Sequence, residues 1–498
     1  MQDKRDINTE KLIEDTVEKP ENDASNKMSE VSVKFGLKSF LTVVCILLAV
    51  VIAVGVLTYV IPAGAYDTET VDGKIRIIAG TFRYLDESEI TTRLPVWRWF
   101  TAPFEMIFLG SNSSLCLQII ALLLILGGTF KVLQESGGLV SLVRILIGKL
   151  YKRRYLAIWV ITFVLMFLSA VFGLQEQFLI LYPLFSMLCT AMNWSNFTAI
   201  SFILITSGVG FTTAITNPFT VMQAANHAGV SVTDGVWYRI VIFLALYALT
   251  AAFMTFMAKN DEKKCVKKFD IENFTLTTEE EKAEDKKKAI MITALFSIAL
   301  LGVLVAISVP ALRGMSMIIM AAAFIVGTVI IGRKLLGSFK RMGKEFLVGM
   351  KDVAPSLIII ILAFSITYIA ERGSILHTVF NYIYTMMEGT SPYVSVLLLY
   401  LFVLVIEFFI PSGSAKAALI IPLLTLGDLG ISTNVIILTY LFADGYTNVL
   451  FPTCGTLLIG LGLADVSFTE WIKKTIVFQL ILLVVSVGFL MLTVAFGY

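Results

Sequence analysis

The chain has 498 residues, 57% hydrophobic and only 15% charged, with a mean hydropathy of +0.84 and a formal net charge of +2. A soluble domain carries about 25% charged residues, so this balance excludes an ordinary soluble enzyme or binding module. Lys and Arg are scattered over loops and give no sign of a nucleic-acid partner, and five cysteines, an odd number lying mostly in or beside apolar stretches, argue against a disulfide framework.

Apolar stretches of membrane-spanning length recur from end to end, so the fold class is an all-α polytopic membrane protein. Residues 1–37 are polar and of mixed charge and read as a disordered cytoplasmic tail. The run after it is followed by Ala63-Gly64-Ala65, which imitates a signal-cleavage site. That run is longer than a signal h-region of about 7–15 residues, so it reads as a retained first span. Clear spans fall at 38–61, 115–133, 236–258, 289–309, 316–332, 353–371 and 471–496. The regions 155–193, 197–228 and 392–465 are apolar but interrupted.

Loop charges orient the spans. Basic clusters lie at 144–154, at 259–288 (nine lysines), at 333–351 and at Lys473-Lys474, whereas 229–235, 374–391 and 427–434 carry no Lys or Arg. One topology satisfies these signs together. Segments 155–193 and 392–427 are re-entrant hairpins on opposite sides, about nine other segments span, the N-terminus is cytoplasmic and the C-terminus is outside.

The sequence also repeats itself. "KVLQESGGL" (131–139) resembles "TYIAERGSI" (367–375), and "GLQEQFLILYPL" (173–184) resembles "GSAKAALIIPLL" (413–424). "GFTTAITNPF" (210–219) matches "GYTNVLFPT" (445–453), and "VSVTDGVWYR" (230–239) matches "VSFTEWIKK" (466–474). The order is kept, and the charges place the copies in opposite orientations. The expected organisation is a first inverted repeat at 38–258, with hairpin 155–193 and broken helix 197–228. A cytoplasmic charged linker follows at 259–288. The second repeat is 289–498, with hairpin 392–427 and broken helix 433–465. Inverted repeats with interrupted helices are the signature of secondary transporters that bind at the midplane.

Polar residues gather at the interruptions. The first hairpin tip holds Gln175 and Glu176, and the first broken helix holds Thr212, Thr213, Thr216 and Asn217. The second tip holds Ser412, Gly413, Ser414 and Lys416, and the second broken helix holds Asp444, Thr447 and Asn448. A carboxylate such as Asp444 costs about 3 kcal/mol on a lipid face, so a cavity wall is the cheaper place for it. Pro452 removes a donor and Gly445 is expected to loosen the helix there. These residues are the candidate substrate-binding set. The plainer alternatives are a structural pairing of Lys416 with Glu176, Glu407 or Asp444, and Thr and Asn side chains that bond nearby carbonyls. No HExxH or GxSxG motif supports an intramembrane hydrolase. A channel is a further alternative, because broken helices also line pores.

At these residues the chain resembles the YfcC/ArcD family of basic amino-acid antiporters, within the C4-dicarboxylate anaerobic carrier group of the ion-transporter superfamily. The resemblance is carried by "YVIPAGAYD", "GVGFTTAITNPF", "PSGSAKAALIIP" and "DGYTNVLFPTCGTLLIGL". The first tip departs from the family pattern: "GLQEQ" flanks Glu176 with two glutamines and has one carboxylate fewer. The resemblance implies elevator-type alternating access by a non-enzyme. The expected substrate is an amino acid, with arginine/ornithine-like exchange foremost and a C4-dicarboxylate as the alternative. No cofactor or bound metal is expected. Coupling to Na+ or H+ is open, with any Na+ placed near Asn217 and Asn448. The expected surroundings are a small-molecule substrate, the bilayer of the inner (plasma) membrane and a homodimeric partner copy.

Overall fold

The computed structural model describes residues 37–498 apart from 72–73, 79, 87, 91, 111–112, 266–268, 276–277, 388, 411–412 and 427–428. The expected tail therefore lies outside the described residues up to position 36, as does Ser412 at the second hairpin tip.

The described residues are mostly helical. The first helix, α1 (Leu37–Val60), leads into two small antiparallel ladders, β1 (Gly64–Ala65) with β4 (Arg83–Tyr84) and β2 (Thr68–Val71) with β3 (Lys74–Ile77). Then come α2 (Arg98–Leu109), α3 (Ser113–Glu135), α4 (Gly138–Leu150), α5 (Arg154–Phe172), α6 (Tyr182–Ala191), α7 (Asn196–Thr212), α8 (Val221–Ala228) and α9 (Val236–Lys264). The second part continues with α10 (Ile271–Thr275), α11 (Glu279–Ser308), α12 (Ser316–Leu336), α13 (Phe339–Arg372), α14 (Leu376–Met387), α15 (Pro392–Phe409), α16 (Gly413–Leu426), α17 (Thr433–Leu450), α18 (Gly455–Leu463) and α19 (Phe468–Phe496). Among the described residues nine helical stretches are long and apolar enough to cross a bilayer. The bent α13, whose halves meet at 42° around Pro355, makes a tenth candidate.

Several helices run past the expected spans into charged sequence. Charge alone does not end a helix, since Glu, Lys and Arg are good helix formers. The charged segment 259–288 is thus largely helix rather than loop: α9 continues to Lys264 and α11 starts at Glu279. Thr278 and Glu281 close a capping box there, satisfying donors that the first turn leaves free. The basic stretch at 144–154 is likewise helical, through α4 and the start of α5.

The helices pack in two groups. In one, α13 lies against α3 and α1, and α12 packs on α3 and α11. In the other, α7 packs on α5, α6, α9 and α17, and α17 packs on α15 and α19. Helix α18 touches α13 and so joins the groups. Burial follows this placement. The stretch Thr433–Leu463 is mostly buried, whereas the C-terminal helix is mostly not and exposes Val477 and Val484 on its outer face.

The element order of α3–α9 recurs in α13–α19: a long helix, an amphipathic helix, a helix-turn-helix, an interrupted helix and another long helix. The first helix-turn-helix unit turns at 173–175, the helices of the second end at Phe409 and begin at Gly413, and the interruptions fall at 213–220 and 451–454. Gly445 does not lie at the second interruption. It sits inside α17 at the crossing with α7, where a Cβ would come within 2.0 Å of the Thr212 backbone N. Its missing side chain lets two backbones touch, and the helix stays intact through it.

Candidate functional site

A cavity of about 140 Å³ opens where the first turn, both interruptions and the second turn converge, far above the roughly 10–15 Å³ that one water occupies. The first turn contributes Gln175, Glu176 and Gln177, and the first interruption contributes Phe219 and Thr220. Gly413, Asp444 and Asn448 enter from the second half, with Thr453 and Cys454 of the second interruption and Gly455 and Thr456 at the start of α18. Phe211 and Phe364 supply apolar wall.

Local structure explains how these groups come to face one space. Helix α5 ends at Gly173, which adopts a left-handed φ of 70°, and a Cβ there would also strike Asn217 Oδ1 at 2.5 Å. The first interruption then docks on the C-terminus of α5. Ile215 N donates to Ala170 O (2.8 Å), Thr216 Oγ1 to Val171 O (3.1 Å) and Asn217 Nδ2 to Ser169 O (3.3 Å). The last-turn carbonyls of Ala170 and Val171, which lack a partner inside their own helix, are thereby satisfied by the broken helix, and Ser169 O accepts from both Asn217 and the capping Gly173 N. In the second half, Thr367 Oγ1 donates to Phe409 O at the end of α15 (2.9 Å), and Trp471 Nε1 donates to Val449 O at the end of α17 (2.8 Å).

The electrostatic centre is a buried triad. Lys416 on α16 lies between Glu407 on α15 and Asp444 on α17, and all three are at most 2% exposed. The Lys416 ammonium donates to Asp444 Oδ1 at 2.8 Å and forms a close ion pair with Glu407. It also lies 5.6 Å from the centroid of the Tyr440 ring, whose hydroxyl donates to Gly413 O (2.5 Å). Glu176 stands apart: it is only partly buried, beside the Thr456 hydroxyl.

Five residues singled out from sequence line the cavity: Gln175, Glu176, Gly413, Asp444 and Asn448. The others do something else. Thr212 Oγ1 donates to Gly208 O (3.1 Å), Thr213 Oγ1 to Val209 O (3.0 Å) and Thr447 Oγ1 to Asp444 O (3.0 Å). These are bonds back to the same helix. Thr216 and Asn217 cap α5, and Asn217 Oδ1 further accepts from Phe219 N at 2.9 Å. Asn448 Oδ1 accepts from Cys454 Sγ at 3.5 Å. Lys416 is committed to the triad, and of Ser414 only the backbone is described. Sequence reasoning missed Gln177, Thr220, Thr453, Cys454 and Thr456. The run "PTCGT" shortly after Asn448 is the signal that points to three of them.

Three buried polar atoms without a hydrogen-bond partner among the described residues belong to residues that line this cavity: Asp444 Oδ2, Thr220 Oγ1 and Thr453 Oγ1. An orphaned buried polar atom costs about 1–3 kcal/mol. Three of them around one space mark it as a place built to hold a polar solute. Among the described residues no group of three or more His, Cys, Asp or Glu side chains is arranged to hold a metal ion.

The family model described as C4-dicarboxylate anaerobic carrier matches residues 40–495. Over 468 residues the chain is 26% identical to the Escherichia coli K12 protein named "Putative basic amino acid antiporter YfcC", covering 86% of this chain and 91% of that one. An uncharacterized Haemophilus influenzae protein is 22% identical over 370 residues, covering 72% and 71% of the two chains. Among solved structures, the Alcanivorax borkumensis YdaH transporter aligns with a TM-score of 0.41 at 17% identity, covering 92% of this chain and 98% of its own. Neisseria gonorrhoeae MtrF, from a class of antimetabolite efflux pumps, aligns with a TM-score of 0.41 at 14% identity, covering 94% and 96%.

Proposed function

The chain belongs to the C4-dicarboxylate anaerobic carrier family, a family of secondary transporters, and on that premise we propose that it carries amino acids with a cationic side chain by alternating access. The observation that carries this reading is the charge and polarity of the cavity wall. Glu176 and Asp444 line the cavity, one Asp444 oxygen has no hydrogen-bond partner, and no Lys or Arg lines it among the described residues. The one nearby cation, Lys416, offsets only one of the two carboxylates in its triad. A substrate ammonium or guanidinium relieves that excess of negative charge, and a second anion aggravates it.

The substrate's carboxylate has its own partners. Helices α16 and α18 both begin at the cavity, at Gly413 and Gly455. Their first-turn N–H groups have no partners within their own helices, and helix N-termini favour anions. Thr220 and Thr453 add hydroxyl donors. The name of the YfcC relative agrees with this substrate class.

The recurring element order supports two inverted repeats, and the two packing groups support an elevator in which the hairpins and broken helices move against α1, α3, α12 and α13. The family's own description favours a second reading, a C4-dicarboxylate carrier, and the same two helix N-termini would serve it. The test is uptake into proteoliposomes of labelled arginine, ornithine, alanine and succinate, with and without substrate inside. Saturable arginine or ornithine uptake accelerated by internal substrate is the expected result. Succinate uptake without any cationic amino-acid uptake would replace this reading with the second one.

A further inference from the structure

Lys416 is a buried lysine with more partners than a structural ion pair needs. One carboxylate suffices to neutralise an ammonium, and Lys416 has two, Glu407 and Asp444, with the Tyr440 ring beside it. The two carboxylates are not equivalent. Glu407 belongs to the packed interior of α15 and does not line the cavity. Asp444, which lines the cavity, gives one oxygen to Lys416 and leaves the other without a hydrogen-bond partner among the described residues.

We infer that Lys416 is a tethered cation that occupies Asp444 when the substrate is absent and withdraws toward Glu407 when a substrate cation arrives. This rests on the proposed cationic substrate. An ammonium held between two carboxylates and an aromatic face can shift its weight from one to the other without ever losing a counter-charge, which low-dielectric surroundings would punish heavily. Asp444 is then compensated in both states, by the substrate in one and by Lys416 in the other. The position of Lys416 in the first turn of α16, three residues after Gly413, ties this exchange of partners to the hairpin turn.

The consequence concerns which steps of the cycle the carrier can complete. Exchange only moves the loaded site across the membrane. Net uptake also needs the empty site to return, and an uncompensated Asp444 would have to cross a low-dielectric barrier. Lys416 is the group that makes the empty return possible.

The test measures two rates in the same proteoliposomes: counterflow with substrate on both sides, and net uptake into empty vesicles. Lys416→Met alone leaves two carboxylates facing each other, so the decisive variant is Glu407→Gln with Lys416→Met. It keeps the net charge of the triad and removes the tethered cation together with the carboxylate to which it withdraws. Net uptake relative to counterflow should fall at least tenfold. Lys416→Arg, which keeps a cation in place, should hold that ratio within about threefold. An equal fall in both rates in the double variant, with normal folding by size-exclusion chromatography, would mean that Lys416 only braces the fold, and an unchanged ratio would also overturn the inference. If the double variant does not fold, Glu407→Gln alone decides. With no alternative partner, Lys416 should compete harder for Asp444 and raise the KM for the cationic substrate at least threefold, and an unchanged KM would overturn the inference. Failure of the substrate reading looks different, because wild-type protein would then transport no cationic amino acid at all.

Discussion

Asp444 and Glu176 reach the cavity from different halves of the chain, and each can be deprived of charge without changing its shape. A hydrogen bond to a charged partner is worth about 1.5–3 kcal/mol, so Asp444→Asn and Glu176→Gln should each weaken the apparent affinity for a cationic substrate roughly ten- to hundredfold. Competition uptake assays with arginine and alanine measure this, and the cationic substrate should lose more. Equal losses for both would make these carboxylates structural. The two differ in their effect on folding. Glu176→Gln removes a partly exposed charge and should leave thermal stability nearly unchanged. Asp444→Asn strips Lys416 of one ionic partner and should lower it. Both residues stand out in the sequence because an ionisable group among helix breakers in an apolar stretch is too costly to face lipid. The sequence could not choose a partner for Lys416, since Glu176, Glu407 and Asp444 all fit the pattern. Nor could it separate Thr220 and Thr453, which face the cavity, from Thr212, Thr213 and Thr447, which bond back to their own helices. A threonine in a membrane helix looks the same in sequence whether its hydroxyl turns inward or outward.

Elements were legible where hydrophobicity alone decides them and illegible where backbone contact does. The two turns and both interruptions fall where Gly, Pro and polar residues break the apolar runs. The ends of α9 and α11 do not, because their charged turns are as helical as the apolar ones. Gly445 shows the same limit: in sequence it looks like a breaker, and in the fold it is the contact point of two unbroken helices. The structure separates it from its neighbour across the crossing, Gly208. A Cβ on Gly445 meets backbone at 2.0 Å, whereas one on Gly208 meets the Val449 side chain at 2.1 Å. Overpacking costs about 1–3 kcal/mol, and backbone yields less readily than a side chain. Gly445→Ala should therefore be the more destabilising of the two substitutions, as a larger drop in melting temperature in detergent. At the first turn, Gly173→Ala combines a left-handed backbone with a clash against Asn217. It should reduce transport at least tenfold while leaving α5 itself intact by circular dichroism.

For the whole molecule, charge asymmetry in the connecting segments makes a prediction about sidedness. Ala283, exposed in the first turns of α11, belongs to the lysine-rich segment, and Thr385, exposed on α14, belongs to a segment without Lys or Arg. In a chain whose five native cysteines are replaced, Ala283→Cys should react with an impermeant maleimide only after permeabilisation of cells, and Thr385→Cys should react from outside. Labelling of both from one side would overturn the proposed inverted arrangement of the two halves. The recurrence of element order between the two halves was legible as four weak matches in constant order. Which helices form the packed centre was not, because every long segment is comparably apolar, and only the packing shows that α7 and α17 are enclosed while α19 faces outward.

The buried triad also sets a schedule for biosynthesis. Its members emerge from the ribosome as Glu407, then Lys416, then Asp444, so the lysine enters the membrane with one partner already made and the other still to come. An unpaired lysine in an apolar segment carries a penalty that reaches about 2.5–3.5 kcal/mol at a helix centre, and pairing with its carboxylates relieves it. The arm carrying Lys416 is therefore expected to stay at the translocon or its chaperones until α17 has been synthesised. A nascent chain halted between residues 426 and 444 should remain crosslinkable to the insertion machinery and prone to proteolysis, and one extended past α17 should be released.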